Sequence, residues 1–146
     1  MNEAEVAPEI DGLEFEDNSG VSGLTLIASN SVTIKNMVFR NYKFDTYTGG
    51  SACIDLSTWS IKGGVAKLDT FNFSNIVNSQ CITTGPTGAK FDVNAEHCNF
   101  NDISMTLGNG EHCGTCISSI SPAGVNFKIS ESTFINVEAI GGSGGA

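Results

Sequence analysis

A fixed order of three side chains recurs along the chain: an aliphatic residue, a phenylalanine five positions later, and an asparagine or aspartate two positions after that. Four copies keep this order, and they begin at Ile10, Ile34, Leu68 and Ile129. A fifth copy runs from Val93, with two extra residues before its phenylalanine. The marker pairs are Phe15 and Asp17, Phe39 and Asn41, Phe73 and Asn75, Phe100 and Asp102, and Phe134 and Asn136. An internal repeat of this kind constrains the whole architecture of a chain.

The spacing of the repeat indicates the kind of fold. Phenylalanines at positions 15, 39, 73, 100 and 134 are 24, 34, 27 and 34 residues apart. One turn of a three-stranded solenoid takes roughly 20 to 30 residues, so the shorter steps fit one coil and the longer ones a coil with a loop. We therefore predict an all-β fold, a right-handed parallel β-helix of about five coils, with residues 1–146 as a single domain and a fragment of a longer repeat protein.

The two marker residues have a physical reason to recur. Stacked coils lie about 4.8 Å apart, so the phenylalanine rings can form a continuous column inside the solenoid. Asparagine tolerates the left-handed backbone conformation of a bend, and its amide can bond to the same group in the next coil. We expect a phenylalanine column beside an asparagine ladder.

Composition and local alternation support strands. Glycine, asparagine, serine and threonine are abundant, which favours strands joined by frequent turns. Upstream of the phenylalanines, polar residues separate apolar ones in Val32–Ile34, Ala66–Leu68, Phe91–Val93 and Phe127–Ile129, the pattern of a strand with one buried face. An antiparallel β-sandwich explains the composition equally well, and it stays open as the alternative fold.

The chain is acidic, with a net charge of −9 from 16 acidic and 7 basic residues. Such a chain repels a phosphate backbone, so nucleic acid is not an expected partner. No stretch approaches the ~20 apolar residues of a membrane-spanning helix. The first residues carry no secretory signal. We expect an extracellular or cell-surface protein whose signal lies elsewhere, with a cytoplasmic location as the alternative.

One constellation of residues could bind a metal. Glu96-His97-Cys98 recurs as Glu111-His112-Cys113, and Cys116 follows. Thiolate and imidazole are the ligands that zinc prefers, which makes these five His and Cys residues weak candidates for a metal site. The spacing matches no standard zinc motif, and adjacent residues of a strand point to opposite faces. We therefore predict no cofactor.

The cysteines allow two other interpretations. In an oxidising compartment, Cys113 could pair with Cys116 or Cys98 with Cys113, and the odd count of five would leave a free thiol. Alternatively, the cysteines are buried as small apolar residues inside the solenoid.

The last residues resemble a known class of repeats. Ser132 to Ala146 reads Ser-Thr-Phe-Ile-Asn-Val-Glu-Ala-Ile-Gly-Gly-Ser-Gly-Gly-Ala, and a similar order runs from Asn41 to Ile54. These segments resemble the Phe-x-x-Asn and Gly-Gly-Ala-Ile repeats of polymorphic outer-membrane proteins and related β-helix adhesins. The resemblance implies surface display and adhesion rather than catalysis.

The function expected from these observations is a non-enzymatic surface module that acts in adhesion or as a structural scaffold. Loops around residues 42–65 and 103–126 would contact a glycan or a protein surface. No catalytic residue is predicted, because no carboxylate pair or calcium-binding cluster stands out. The alternative is a fragment of a carbohydrate-active β-helix enzyme, a polysaccharide lyase or glycoside hydrolase. Without a strong cap, end-to-end self-association is also expected.

Overall fold

The structure is a computed structural model that describes residues 9–19, 23–26, 31–46, 52–56, 64–84, 91–108, 114–119 and 124–141. These residues form strands and no helix, which confirms the all-β prediction for this part of the chain. The strands are β1 Glu9–Asp11, β2 Glu14–Glu16, β3 Leu24–Thr25, β4 Val32–Lys43, β5 Ala52–Asp55, β6 Val65–Val77, β7 Gln80–Thr84, β8 Phe91–Glu96, β9 Asn99–Thr106, β10 Ile117–Ser119, β11 Val125–Ser130 and β12 Thr133–Ile140.

The larger sheet contains the sequence repeat. Its strands are β1 and β2, then β4, then β6, then β8 and β9, then β11 and β12, and each repeat copy pairs in parallel with the next. We number these copies repeats 1 to 5. The register aligns Phe39 with Phe73 and Phe73 with Phe100. Pairing between the described strands is parallel throughout, which contradicts the antiparallel alternative for them.

A second, smaller sheet has the order β10-β7-β5-β3 and is also parallel. Its register aligns Leu24 of β3 with Ile54 of β5, Ile82 of β7 and Ile117 of β10. Each of the first four repeats therefore contributes one strand to this sheet. The residues just before the aliphatic position in β5, β7 and β10 are cysteines, at Cys53, Cys81 and Cys116.

Left-handed backbone conformations bend the larger sheet at two fixed places in every repeat. One column of positive φ angles consists of Gly12, Asn36, Thr70, His97 and Glu131, and the other of Asp17, Asn41, Asn75, Asp102 and Asn136. The second column is the Asx position of the sequence repeat. Asparagine and aspartate adopt this conformation more readily than other residues with a Cβ, which explains their recurrence there.

The five repeat phenylalanines lie one above another. Ring centroids are 4.9 Å apart between Phe15 and Phe39, 5.3 Å between Phe39 and Phe73, and 5.0 Å between Phe73 and Phe100. The separation from Phe100 to Phe134 is 4.7 Å, and the rings are nearly parallel throughout. These distances follow the separation of neighbouring strands, because the in-register pairing places like side chains at the strand spacing.

The core lies between the two sheets and joins the inward side chains of both. Phe39, Phe73 and Phe100 are buried, as are Ile54 and Ile82 from the second sheet. Stacked repeats thus bury a continuous apolar interior that no single repeat could enclose.

Two details differ from the sequence interpretation. Leu68 pairs with Ala95, so the aliphatic residue of repeat 4 precedes its phenylalanine by five positions, as in the other repeats. The prediction that this repeat starts at Val93 and has two extra residues was wrong. Alanine was not recognised as the aliphatic member of that copy. The residues that alternate in this strand are Val93 and Ala95, in register with Ala66 and Leu68.

The ranges expected to be loops also contain strands. Residues 42–65 include β5, and residues 103–126 include the second half of β9 and all of β10. The description of both ranges as loops was therefore wrong in these parts. Each range supplies a strand of the second sheet because its short apolar segment can pair with the equivalent segment of the neighbouring repeat.

Candidate functional site

The Asx column forms a ladder of side-chain hydrogen bonds on the outer surface. The Asn41 amide donates to Asp17 over 3.0 Å, and the Asn75 amide donates to Asn41 over 2.7 Å. At the other end, the Asn136 amide donates to Asp102 over 2.8 Å. These bonds hold the side chains in order within repeats 1 to 3 and within repeats 4 and 5, so each stretch of the ladder presents an ordered polar surface.

A groove of about 530 Å³ runs beside this ladder in repeats 3 to 5. Its lining residues are Asn75, Val77, Asp102, Ser104, Asn136, Val137 and Glu138. Ser104 and Glu138 stand two positions after the Asx residue of their repeats and share one register column with Val77. The groove therefore combines amide, hydroxyl and carboxylate groups at the spacing of the repeats.

The charge of the groove is negative. Asp102 and Glu138 are its charged lining residues, and none of the described basic residues lines it. Asp102 accepts hydrogen bonds from the amides of Asn136 and Asn101, which orient its carboxylate. An acidic groove with fixed amides suits uncharged or cationic groups that donate hydrogen bonds, and it repels anions.

Sequence reasoning named Asn75, Asp102 and Asn136 as scaffold residues but did not single out Ser104 or Glu138. A signal for these two existed, because they follow the Asx residue by two positions and so fall into one column once the repeat is aligned. The column is not evident from the sequence because its members differ in chemical type: the residues equivalent to Ser104 and Glu138 are Lys43 and Val77.

His97 occupies the first bend column and lies outside the core. Its Nδ1 is 2.8 Å from Asp69 Oδ1, and its Nε2 is 3.1 Å from Glu131 Oε2. The imidazole thus connects repeats 3, 4 and 5. The hydrogen bonds, first to Asp69 and then to Glu131, raise the pKa of His97 above its ordinary value of 6.5, and the bond to His97 lowers the pKa of Asp69. Both ring nitrogens are occupied by carboxylates of the protein.

We expect this contact to make stability depend on pH. Because its pKa is raised on folding, His97 contributes fully to the free energy of unfolding below its unfolded pKa of 6.5, and this contribution is lost as the pH rises through the folded pKa. Because its pKa is lowered on folding, Asp69 contributes to the free energy of unfolding above its unfolded pKa of 3.8, and this contribution is lost as the pH falls through the folded pKa. The contact should therefore stabilise the fold fully between pH 3.8 and 6.5 and fade in alkali.

Urea denaturation of the wild type and His97→Asn at several pH values tests this expectation. Asparagine is chosen because it tolerates the positive φ of this position. The gap between the two unfolding midpoints should be widest near about pH 5.5 and should shrink by about pH 9. A gap that stays constant with pH would show that the imidazole contributes through its shape alone.

The other metal-ligand candidates do not join His97. Cys98 is buried in the core, where burial raises the pKa of its thiol to about 11. Cys116 is buried at the start of the second-sheet strand of repeat 4. His112 and Cys113 lie outside the described residues. Within the described ranges, no group of three or more His, Cys, Asp or Glu side chains is placed to hold a metal ion.

The described cysteines are unpaired and buried. Cys53, Cys81, Cys98 and Cys116 are free thiols, whereas Cys113, which both suggested disulfides contain, lies outside the described residues. Cys81 lies between Cys53 and Cys116, and its thiol pKa is well above the ordinary value because of burial and contact with the other two thiols. These side chains pack as small apolar groups, the second interpretation open from the sequence.

Two findings bear on the wider identity of the chain. Among the described residues, no helix has the length and apolar character to cross a membrane. In comparisons with known proteins, no family model, no curated sequence and no solved structure matches this chain.

Proposed function

We propose that the two parallel sheets are walls of a right-handed parallel β-helix of about five coils. The support is the register, in which every repeat pairs with the next in the larger sheet and the first four repeats contribute to the second. The two columns of left-handed residues turn each coil at equivalent positions. A connection between parallel strands of one sheet is right-handed in nearly all proteins, which supports the handedness.

We propose that this β-helix is a non-enzymatic surface or extracellular module that binds a glycan in the groove beside the Asx ladder. The groove itself carries the proposal: about 530 Å³ lined by Asn75, Asp102, Ser104, Asn136 and Glu138. Amides, hydroxyls and carboxylates at regular spacing complement the hydroxyl groups of an extended saccharide. The resemblance of the final residues to polymorphic outer-membrane repeats agrees with display at a cell surface.

The acidic lining narrows the class of glycan. Asp102 and Glu138 can accept hydrogen bonds from a ligand, and the whole chain has a net charge of −9. Neutral saccharides and amino sugars fit this environment, whereas uronates and sulfated glycans are repelled. A glycan array that contains neutral saccharides, amino sugars, uronates and sulfated glycans therefore tests whether the protein binds a glycan and whether it prefers neutral or cationic glycans to anionic ones.

Glu138→Gln is expected to weaken binding of the best array ligand by about tenfold, because a hydrogen bond to a charged acceptor is worth roughly 1.5–3 kcal/mol. Glu131→Gln is the matched control, since Glu131 belongs to the same repeat but contacts His97 on another part of the surface. Isothermal titration calorimetry gives the two dissociation constants. Equal losses in both variants, or no array ligand at all, would contradict the groove as the binding site.

A fragment of a carbohydrate-active enzyme is the second candidate. The presence of two carboxylates, Asp102 and Glu138, in one groove favours it, because glycoside hydrolysis uses a pair of carboxyl groups across the sugar. Incubation of the array ligand with the protein, followed by mass spectrometry, separates the two candidates. Cleavage that is lost in Glu138→Gln would replace the adhesion proposal with the enzymatic one.

A further inference from the structure

The last described repeat leaves inward-facing residues open to solvent. Phe134 is 41% exposed and Ile129 is 40% exposed, although their equivalents in repeat 3, Phe73 and Leu68, are each 1% exposed. In the described structure, β11 and β12 have a neighbouring strand on one side only. Among the described residues, repeat 5 therefore presents a face, here called the repeat-5 face, that has the shape and composition of an internal surface between repeats.

The opposite end of the stack is built from the same residue types. Repeat 1 places Ile10 and Phe15 in the columns that end at Ile129 and Phe134, and Asp17 in the column that ends at Asn136. Ile10 and Phe15 are only partly buried, and β1 and β2 pair with β4 alone. We call this surface the repeat-1 face. The two faces are thus the two halves of one interface between repeats.

We propose that the repeat-5 face of one molecule binds the repeat-1 face of a second copy, head to tail and in the register of the repeats. Phe134 then stacks on Phe15 of the second copy, and Ile129 covers Ile10. The in-register distance of about 4.8 Å is the one that already separates neighbouring repeats within the chain. The proposal continues an interface that the molecule forms four times internally, between successive members of five repeats.

Charge complementarity supports a second copy as the occupant. In the continued register, Lys128 stands directly opposite Glu9 of the second copy, because both belong to the column of Thr33, Lys67 and Asn94. Glu9 also pairs with Lys35 of its own chain over 2.9 Å, so Lys128 would be a second cation beside the same carboxylate. Lys128 forms no ion pair with the described residues of its own chain. Glu14 and Glu16 could repel acidic residues of the second copy at the repeat-1 face, but both are already paired with Arg40.

The direction of the strands determines the kind of assembly. Parallel pairing requires the second copy to point the same way, so the contact joins two different faces and leaves one of each free. Association is therefore open-ended and produces a concentration-dependent series of oligomers. A symmetric dimer that closes on itself would use two identical faces and is incompatible with this geometry.

Sedimentation velocity on the intact chain, from about 1 to about 500 µM, tests the proposal. We expect the weight-average sedimentation coefficient to rise without a plateau. Ile129→Lys should weaken association by at least about tenfold, because it places a charge on the repeat-5 face. Ile135→Lys is the matched control: it adds the same charge to the same repeat, but its side chain is 52% exposed in the outward column of Ser74 and Asn101.

A charge exchange provides a second test that does not depend on the apolar core. Lys128→Glu and Glu9→Lys should each weaken association by about two- to fivefold on their own, and mixing the two variants should restore it, because unlike charges then meet at the mixed interface. Circular dichroism checks that each variant keeps its strands. A monomer at all concentrations, a plateau at a dimer, or equal effects of Ile129→Lys and Ile135→Lys would overturn the proposal.

Discussion

Replacing Phe73 by alanine is expected to lower the free energy of unfolding by about 3–5 kcal/mol, a large share of the stability of a domain of this size. Phe73 is the middle ring of the column and is 1% exposed. Its ring centroid is 5.3 Å from that of Phe39 and 5.0 Å from that of Phe100. Truncation leaves a cavity between two aromatic rings that in-register strands hold at a fixed spacing. Urea denaturation monitored by circular dichroism measures the loss.

Phe134→Ala is the matched control for this prediction. Phe134 is chemically identical and belongs to the same column, but it stacks on Phe100 alone and is 41% exposed. Its truncation should cost less than half as much, because less apolar surface returns to water and no enclosed cavity forms. Similar losses for the two variants, or a loss below about 1 kcal/mol for Phe73→Ala, would contradict the column as the centre of the core.

The larger sheet could be deduced from the sequence because the residues that align its strands occupy positions where few side chains fit well. Asparagine and aspartate adopt a left-handed bend more readily than other residues with a Cβ, so the Asx residue two positions after Phe39 and Phe73 recurs, and it aligns the strands. The repeats are harder to align at positions that accept many residue types. The aliphatic position accepts any small apolar residue, and Ala95 was therefore overlooked in repeat 4.

The second sheet was not recognised because its strands are short and lie inside long segments of polar residues. A four-residue strand such as Ala52–Asp55 has too few positions for a period of two to stand out. A cysteine followed by isoleucine at Cys53, Cys81 and Cys116 was the available signal. The sequence allows burial of the cysteines as small apolar residues beside metal and disulfide chemistry, but it does not by itself align these three as one column.

The candidate site was only partly predictable for a related reason. His97 and Cys98 are adjacent, and the bend between β8 and β9 places one outside and the other in the core, as expected for neighbours that face opposite sides. The groove depends instead on residues from three repeats. Ser104 and Glu138 become neighbours only when the repeats are stacked, and nothing in their local sequence distinguishes them.

The segment around Gly114 shows how a cysteine motif can serve the fold, and it leads to the second large expected effect. A Cβ at Gly114 would overlap the backbone carbonyl oxygen of Ile117, the first residue of β10. The Gly114 carbonyl also accepts a hydrogen bond from the Gln80 side chain over 3.2 Å. Glycine is required here because the backbone turns back on itself immediately before the strand that pairs with β7.

Gly114→Ala should therefore destabilise the protein by about 3 kcal/mol or more, since the obstacle is a backbone atom that can move only if β10 moves. Gly12→Ala is the control: its φ is +74°, but a Cβ there would meet nothing within 4 Å. Its cost should be about 1 kcal/mol, from the left-handed conformation alone. Urea unfolding of both variants gives the comparison. Equal costs would mean that the turn before β10 adjusts freely, and Gly114 would then lose its structural role.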